Sequence, residues 1–291
     1  MIPVATAKQI IADNVISLSP ATLALAEAAG LVLAEDVIAA MDIPAYPQSS
    51  MDGYAFSYKN WEQHKQLKIN GEIAAGNNNV FTIGEQTAAR IFTGAAVPAG
   101  ADTVVMQEKT RIQNGSLFID DENLRAGLNV RPKGSEINTG AIALTKGTVL
   151  SPAALGFLAG IGIDKVKVFP SPVITIIVTG KELQQPGKIL QYGQVYESNS
   201  IALAAALQQL QKFTIHIVHA DDDLETVKNI LTDALLKSDM VLFTGGISVG
   251  DYDFVLQAVT DCGVSKFFHK VKQRPGKPLY FGIKNNKPVF G

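Results

Sequence analysis

Apolar positions divide the chain into three segments with different rhythms. Between residues 6 and 16 they recur at the spacing of one buried helical face, which predicts a helix. A second helix is predicted over residues 20–29, because Gly30 follows it as a suitable C-terminal cap. Residues 31–39 are then expected to be extended.

Between residues 41 and 133 the helical spacing disappears. Short β-like runs alternate here with turns rich in Gly, Asn and Pro; they lie at 87–92, 103–107, 110–112 and 116–119. This texture predicts a small β-rich domain inserted between the flanking segments.

Strands and helices alternate along the last segment, residues 170–291. Strands are expected at 173–178, 214–219, 240–243, 266–271 and 279–283, and helices at 200–213, 222–237 and 253–259. Such alternation predicts an α/β domain with an open, mainly parallel sheet covered by helices on both faces. The expected fold class is therefore multidomain α/β.

Composition narrows the function classes. Of the 291 residues, 47% are hydrophobic and 18% are charged, which is an ordinary globular balance for about two domains. A net charge of -2 provides no field for nucleic acid or an anionic membrane, so neither is an expected partner. Cys262 is the only cysteine, which excludes an internal disulfide and fits a reducing cytoplasm. No leader-like segment and no long apolar run occurs, so a cytoplasmic location is expected.

The glycine-rich stretch at residues 244–253 carries the clearest candidate chemistry. It follows an apolar strand and precedes a helix, so its backbone N–H groups would point at an oxyanion. Ser248 adds a hydroxyl donor, and Asp251 and Asp253 add carboxylates that suit a hard cation such as Mg²⁺. Its spacing matches neither a Walker nor a dinucleotide fingerprint.

Acidic side chains also follow the neighbouring predicted strands. Glu182 and Asp222 lie in loops that should meet the glycine-rich stretch at the carboxyl edge of the sheet, where ligands bind in such folds. Asp222 has a competing interpretation as the N-cap of the helix that follows it.

Four other polar turns or loops keep two interpretations each. The turns at Asp52-Gly53 and Thr93-Gly94 are either ordinary turns or site loops. Arg131, Lys133 and Glu136 form either a charged surface turn or a group that faces an anionic ligand and its metal. The basic loop at residues 269–278 is either a solvated loop or a clamp for phosphate or a molybdate-like oxyanion. The histidines lack metal-ligand spacing and are expected to be structural or at the surface.

Several motifs in one order along the chain carry a family resemblance. They are SMDGYA at 50–55, RIFTG at 90–94, VRPKGSEI at 130–137, TGKEL at 179–183, TGGISVG at 244–250 and RPGKP at 274–278. Together they resemble the MoeA family, the molybdopterin molybdenumtransferases, which includes the corresponding domain of gephyrin. The resemblance implies a transferase that inserts molybdate into adenylylated molybdopterin, with Mg²⁺, and releases AMP.

The resemblance also assigns roles to residues. The pterin phosphate and adenylate would lie on Ser198, Asn199, Gly245, Gly246, Ser248 and Gly250. The acids that position the metal and polarise the phosphoanhydride would be Asp52, Glu136, Glu182, Asp222 and Asp253, with Asp251 as a further metal ligand. Thr93, Lys270 and Arg274 would bind the incoming oxyanion, and Lys277 would neutralise the departing phosphate.

The family architecture implies a division into domains and an assembly. Residues 1–40 and 134–169 would form a dimerisation and linker domain, 41–133 the inserted β-rich domain, and 170–291 an α/β domain with the MogA-type molybdopterin-binding fold. The expected assembly is a homodimer in which Asp52 and Thr93 complete the partner's site. A MogA-type adenylyltransferase is the expected protein partner.

The chain departs from the family pattern at particular positions. Glu136 and Lys181 stand where members have Asp, and Arg274 stands where many have Lys. The family's C-terminal β-barrel domain is expected to be absent, since the sequence stops at Gly291. The alternatives are therefore a truncated, non-catalytic molybdopterin-binding module, an interaction scaffold, or a generic nucleotide-binding α/β protein.

Overall fold

The computed structural model describes residues 1–76, 81–210, 213–247 and 254–291. The chain divides into two compact units. We call Met1–Ala34, Val149–Ser151 and Lys167–Gly291 the α/β unit, and Glu35–Thr148 with Pro152–Val166 the β-rich unit. Within the described residues, no helix is long and apolar enough to cross a membrane.

Helices and strands alternate mainly in the second half of the chain. The helices are α1 (Val4–Asn14), α2 (Tyr58–His64), α3 (Pro152–Gly160), α4 (Asn199–Leu210), α5 (Leu224–Lys237) and α6 (Phe254–Asp261). The strands are β1 (Ala21–Ala24), β2 (Val32–Leu33), β3 (Val37–Ile38), β4 (Gln48–Ser49), β5 (Gly53–Phe56), β6 (Leu67–Ile73), β7 (Thr87–Ile91), β8 (Thr103–Met106), β9 (Thr110–Gln113), β10 (Ser116–Ile119), β11 (Val130–Arg131), β12 (Ile142–Leu144), β13 (Lys165–Phe169), β14 (Val173–Thr179), β15 (Leu183–Gln184), β16 (Val195–Tyr196), β17 (Thr214–Ala220), β18 (Met240–Thr244), β19 (Ser265–His269), β20 (Tyr280–Lys284) and β21 (Lys287–Phe290).

A six-stranded sheet in the order β17-β14-β18-β21-β20-β19 forms the centre of the α/β unit. β14 is parallel to both of its neighbours, with Thr179 opposite Ala220 and Val178 opposite Thr244. The chain passes from β14 to β17 on one side and then returns to β18 on the other. The strand order therefore reverses between β14 and β18, and this reversal is where open α/β sheets bind ligands.

Both faces of this sheet are covered by helices. On one face, Ile174 and Ile176 of β14 are buried with partly buried Leu203 of α4 packed against them. On the other face, Ile177 shares a core with Leu231 of α5. Burying each such side chain contributes about 1.5–3 kcal/mol. This architecture confirms the predicted α/β domain with a mainly parallel sheet.

The β-rich unit contains another six-stranded sheet, in the order β8-β5-β7-β6-β10-β9. Its central strand β5 is antiparallel to both neighbours and buried along its whole length. A side chain at Gly53 would begin 1.8 Å from the carbonyl oxygen of Val105, so the close approach of β5 to β8 requires glycine there. The prediction of a strand-rich domain is confirmed.

Two local predictions need correction. The helix expected over residues 20–29 is wrong, because Ala21–Ala24 forms strand β1 beside β13, followed by a 3₁₀ turn at Leu25–Glu27. Alternating partial burial along β1 suits a strand, and tertiary pairing outweighs helix propensity. Strand β21 was not predicted. Asn285 and Asn286, both with positive φ, form the tight turn that folds it back beside β20.

Candidate active site

A cavity of about 580 Å³ lies at the carboxyl ends of β14 and β18, where the strand order reverses. It is lined by backbone and polar side chains from the loops after β14, β17 and β18. The lining residues are Thr179, Gly180, Lys181, Glu182, Asp222, Gly245 and Gly246. The predicted meeting of these loops thus occurs in the folded chain.

Asp222 is not a helix cap. The N-cap of α5 is Asp223, whose Oδ1 accepts a hydrogen bond from the Thr226 N–H at 2.8 Å. The capping interpretation of Asp222 is therefore wrong, because the cap is the next residue, Asp223, and α5 begins at Leu224. Asp222 Oδ2 instead accepts from the Lys181 N–H at 2.9 Å, which joins the loops after β14 and β17.

Gly245 and Gly246 bring the backbone of the loop against the end of β14. An added Cβ would lie 2.5 Å from the Thr179 carbonyl oxygen at Gly245 and 2.6 Å from Val255 Cγ2 at Gly246. Both glycines also have positive φ, of 96° and 62°. Only glycine satisfies this approach and this backbone conformation without strain.

Thr179 was missed by sequence reasoning. It is the last residue of β14, and its side-chain oxygen is buried against Gly245 and Gly246. This oxygen has no hydrogen-bond partner in the described part of the chain. Thr179 is 4% exposed and also lines the cavity. No sequence signal distinguishes this hydroxyl, because a β-branched residue at the end of a strand is ordinary.

Oxygen ligands suited to Mg²⁺ are present in the cavity. Glu182 is exposed, and its Oε1 lies 3.0 Å from the point where a side chain at Gly180 would begin. Mg²⁺ in phosphate sites takes one or two carboxylates together with substrate oxygens and water, so Glu182 and Asp222 fit it. No group of three acids, histidines or cysteines that could enclose a metal occurs among the described residues. Ser248, Gly250, Asp251 and Asp253 lie outside those residues.

Ser198 and Asn199 are exposed at the start of α4, and neither lines the cavity. The residue before them, Glu197, is 4% exposed and was not predicted to matter. It accepts hydrogen bonds from the N–H of Ser200 at 2.8 Å and from its hydroxyl at 2.6 Å. Burial raises the pKa of Glu197, but these hydrogen bonds outweigh it and hold that pKa below the ordinary 4.5. Glu197 therefore anchors the start of α4 as a carboxylate.

The basic loop after β19 belongs to the same unit. Lys270 has a φ of 75° and donates its N–H to the Leu279 carbonyl at 2.9 Å. Arg274 and Lys277 are exposed further along it. At the end of β19, His269 Nε2 lies 2.9 Å from the Ile247 carbonyl oxygen, to which it donates. This contact fixes the start of the basic loop beside the glycine-rich loop and gives His269 the structural role expected of it.

Asp52 and Thr93 meet in the β-rich unit. Asp52 Oδ1 accepts hydrogen bonds from both the N–H and the hydroxyl of Thr93, each at 2.7 Å. These bonds lower the pKa of Asp52, so it is ionised at neutral pH. We call this arrangement the Asp52 clasp. Such a pair of hydrogen bonds can hold an ordinary turn and can equally shape a site loop, so it agrees with both interpretations of Asp52.

A second clasp lies in the same unit and was not predicted. Asp42 Oδ1 accepts from the N–H and the hydroxyl of Thr139 at 2.7 and 2.8 Å, and Lys133 pairs with its Oδ2 at 3.3 Å. The two ends of the loop that carries Glu136 are therefore tied to Asp42. Glu136 itself is exposed, with its Oε1 3.7 Å from Arg131 Nη1.

The fold and the cavity together define a class of protein. An open α/β sheet with a cavity at its switch point is the architecture of a ligand-binding α/β domain, and the glycines on the cavity floor suit an anionic ligand. Residues 2–162 match the family described as "MoeA N-terminal region (domain I and II)", and residues 175–291 match the "Probable molybdopterin binding domain".

Relatives and solved structures agree with those matches. A molybdopterin molybdenumtransferase from a Nostoc species is 39% identical over 255 residues, covering 86% of this chain and 58% of the relative. One from Staphylococcus aureus N315 is 33% identical over 295 residues, covering 100% of this chain and 70% of the relative. The crystal structure of the molybdopterin biosynthesis MoeA protein from Pyrococcus horikosii superposes with a TM-score of 0.84 at 31% identity, covering 100% of this chain and 74% of that one. The chain belongs to the MoeA family of molybdopterin molybdenumtransferases.

Proposed function

We propose that this chain inserts molybdate into adenylylated molybdopterin, releasing AMP, in the synthesis of the molybdenum cofactor. The observation that carries the proposal is the position of Asp222. It is free of the capping role and lies with Glu182 in a cavity at the switch point of the sheet. The chain spans 58% of the Nostoc relative's length, so the relative's activity is a proposal for this chain.

The adenylylated phosphate is held at the glycine-rich loop in this proposal. Gly245 and Gly246 lie close to Thr179, so their backbone forms the floor of the cavity. An anion can lie close to this backbone because no side chain covers it. The proposed binding residues also include Ser198, Asn199, Ser248 and Gly250.

Glu182 and Asp222 would hold Mg²⁺, with Asp251 and Asp253 as further proposed ligands. When bound, the ion supplies positive charge that polarises the phosphoanhydride. The two carboxylates would hold the ion beside the glycine floor, and the Lys181 N–H fixes Asp222 in place.

Cations of the basic loop would receive the oxyanions. Lys270 and Arg274 are proposed to bind molybdate, and Lys277 to neutralise the departing phosphate. Exposure of Arg274 and Lys277 leaves their donors available to a ligand. The contact between His269 and Ile247 supports a role for this loop beside the glycine-rich loop.

We also propose that the protein is a homodimer in which Asp52, Thr93 and Glu136 of one subunit complete the site of the other. These residues belong to the β-rich unit, whereas the residues that line the cavity belong to the α/β unit. The proposed domains remain 1–40 with 134–169 for dimerisation, 41–133 inserted and 170–291 for the pterin. A MogA-type adenylyltransferase is the proposed partner. A cytoplasmic location is supported by Cys262, which is a free thiol.

The decisive experiment is AMP release by the purified chain from adenylylated molybdopterin. We expect release that requires both molybdate and Mg²⁺, and we expect Asp222→Ala to abolish it. A folded protein that binds the pterin tightly without releasing AMP would instead be a binding module. ATP binding with no preference for the pterin would indicate a generic nucleotide-binding protein.

A further inference from the structure

Lys181 is the only cationic side chain among the described residues that line the cavity. Its N–H is fixed to Asp222 Oδ2 at 2.9 Å, so its main chain is held at the cavity edge while its side chain is exposed. Within the described part of the chain, its ammonium makes no ion pair. Its main chain is held at the cavity edge and no described acid pairs with its ammonium, so the charge is available to an anionic ligand.

Lys181 lies beside both acids of the cavity. Glu182 is the next residue along the chain, and Asp222 accepts the Lys181 N–H. All three residues line the same cavity.

We propose that Lys181 binds a phosphate group of the substrate in this cavity and weakens the affinity of Glu182 and Asp222 for a divalent cation. An ammonium at the cavity edge attracts phosphate oxygens and repels a metal ion that approaches the neighbouring carboxylates. The positive charge that holds the substrate phosphate is then supplied partly by Lys181 and not only by a metal ion. The identity of the phosphate-bearing substrate rests on the proposed function.

The test compares the wild-type protein with Lys181→Met and Lys181→Arg. Lys188→Met is the matched control, because Lys188 is an exposed lysine in the same unit that does not line the cavity. Mn²⁺ binding is measured by electron paramagnetic resonance without nucleotide. Binding of ADP, a simple adenylylated phosphate, is measured by phosphorus NMR in EDTA.

Loss of the ammonium should change the two affinities in opposite directions. Lys181→Met should bind Mn²⁺ roughly fivefold to tenfold more tightly and ADP roughly tenfold more weakly. Lys181→Arg and Lys188→Met should stay within about twofold of wild type in both measurements. If either affinity of Lys181→Met is unchanged, or if Lys188→Met gives the same shifts, the assignment of Lys181 is overturned.

Neither measurement depends on turnover, so the two proposals fail separately. A wild-type protein that releases no AMP, while Lys181→Met shows both shifts, would reject the transferase and leave the role of Lys181 intact. A wild-type protein that releases AMP, while Lys181→Met shows neither shift, would reject only the role of Lys181.

Discussion

The two units use aspartate in different ways. In the β-rich unit, one oxygen of Asp52 and one of Asp42 each accept two hydrogen bonds from a threonine at the far side of a loop. In the α/β unit, Asp222 accepts one backbone hydrogen bond from the described residues and lines a cavity, while its neighbour Asp223 caps the helix.

Asp52 and Asp42 each use one carboxylate oxygen to hold a loop, whereas the carboxylate of Asp222 lines a cavity. A carboxylate has about four lone-pair sites, and each local hydrogen bond removes one from binding. The clasps tie the β-rich loops, whereas the cavity has carboxylate oxygens at its edge. Neighbouring residues of the same type, such as Asp222 and Asp223, therefore differ in their contacts, since one lines the cavity and the other caps a helix.

The largest expected effect comes from replacing Asp222 and Asp223 one at a time. Asp222→Ala should reduce AMP release by roughly 100-fold or more, because it removes a proposed metal ligand from the reacting phosphate. Asp223→Ala removes only a helix cap, so it should lower the Tm by a few degrees and leave the rate within about threefold. Initial rates and thermal melts of both variants make the comparison. Equal losses of activity in the two would contradict the assignment of Asp222.

A smaller effect is expected from the clasps. Asp52→Ala should slow AMP release roughly tenfold, while Asp42→Ala, which breaks a clasp of the same geometry, should slow it less than about threefold. Similar thermal shifts in both variants would show that the rate difference is not one of stability. If Asp42→Ala slows the reaction as much as Asp52→Ala, the Asp52 clasp only holds its loop.

Mixing variants tests whether the Asp52 clasp acts on the partner's site. In a dimer with shared sites, exchange of Asp52→Ala and Asp222→Ala subunits in equal amounts puts both defects in one site of each heterodimer and none in the other. About a quarter of all sites should then be intact, and activity should recover to that level. No recovery, with heterodimers present by native mass spectrometry, would place both residues in the same subunit's site.

The glycine floor of the cavity predicts a change in stability. Gly245→Ala should lower the free energy of unfolding by about 1–3 kcal/mol, because its Cβ would meet the Thr179 carbonyl and its φ is positive. Gly187→Ala is the control, since it has a positive φ but open space around it, and it should cost about 1 kcal/mol. Urea denaturation measures both. Equal costs would mean that the close approach to Thr179 does not matter.

The α/β fold was predictable because its signals are local and repeated. β-branched strands alternate with amphipathic helices from Val173 onwards, and parallel strands bring their following loops to one edge. The meeting of Glu182, Asp222 and Gly245 in one cavity follows from that topology alone. The short strands β1 and β21 were missed, because only tertiary pairing makes them strands.

Single hydrogen bonds could not be predicted from the sequence. Asp222 and Asp223 are chemically identical, and a shift of one residue in the start of α5 decides which one caps the helix. The Asp42 clasp joins residues 97 apart in sequence, so no local pattern announces it. Thr179 and Glu197 were missed for the same reason, since their importance lies in burial and not in residue type.

The smallest predicted effect concerns the buried carboxylate that begins α4. The pKa of Glu197 lies below its ordinary 4.5, so its ionised form contributes stability above that pH, and this contribution is lost as pH falls through the folded-state pKa. Glu197→Gln should therefore be less stable than wild type by about 1–2 kcal/mol at pH 7, with the gap narrowing below pH 4.5. Urea denaturation between pH 3 and pH 7 measures the gap. The exposed Glu225→Gln, at the first turn of α5, serves as control and should show almost none of it. A gap that stays constant with pH would mean that shape, and not charge, is what Glu197 supplies to the start of α4.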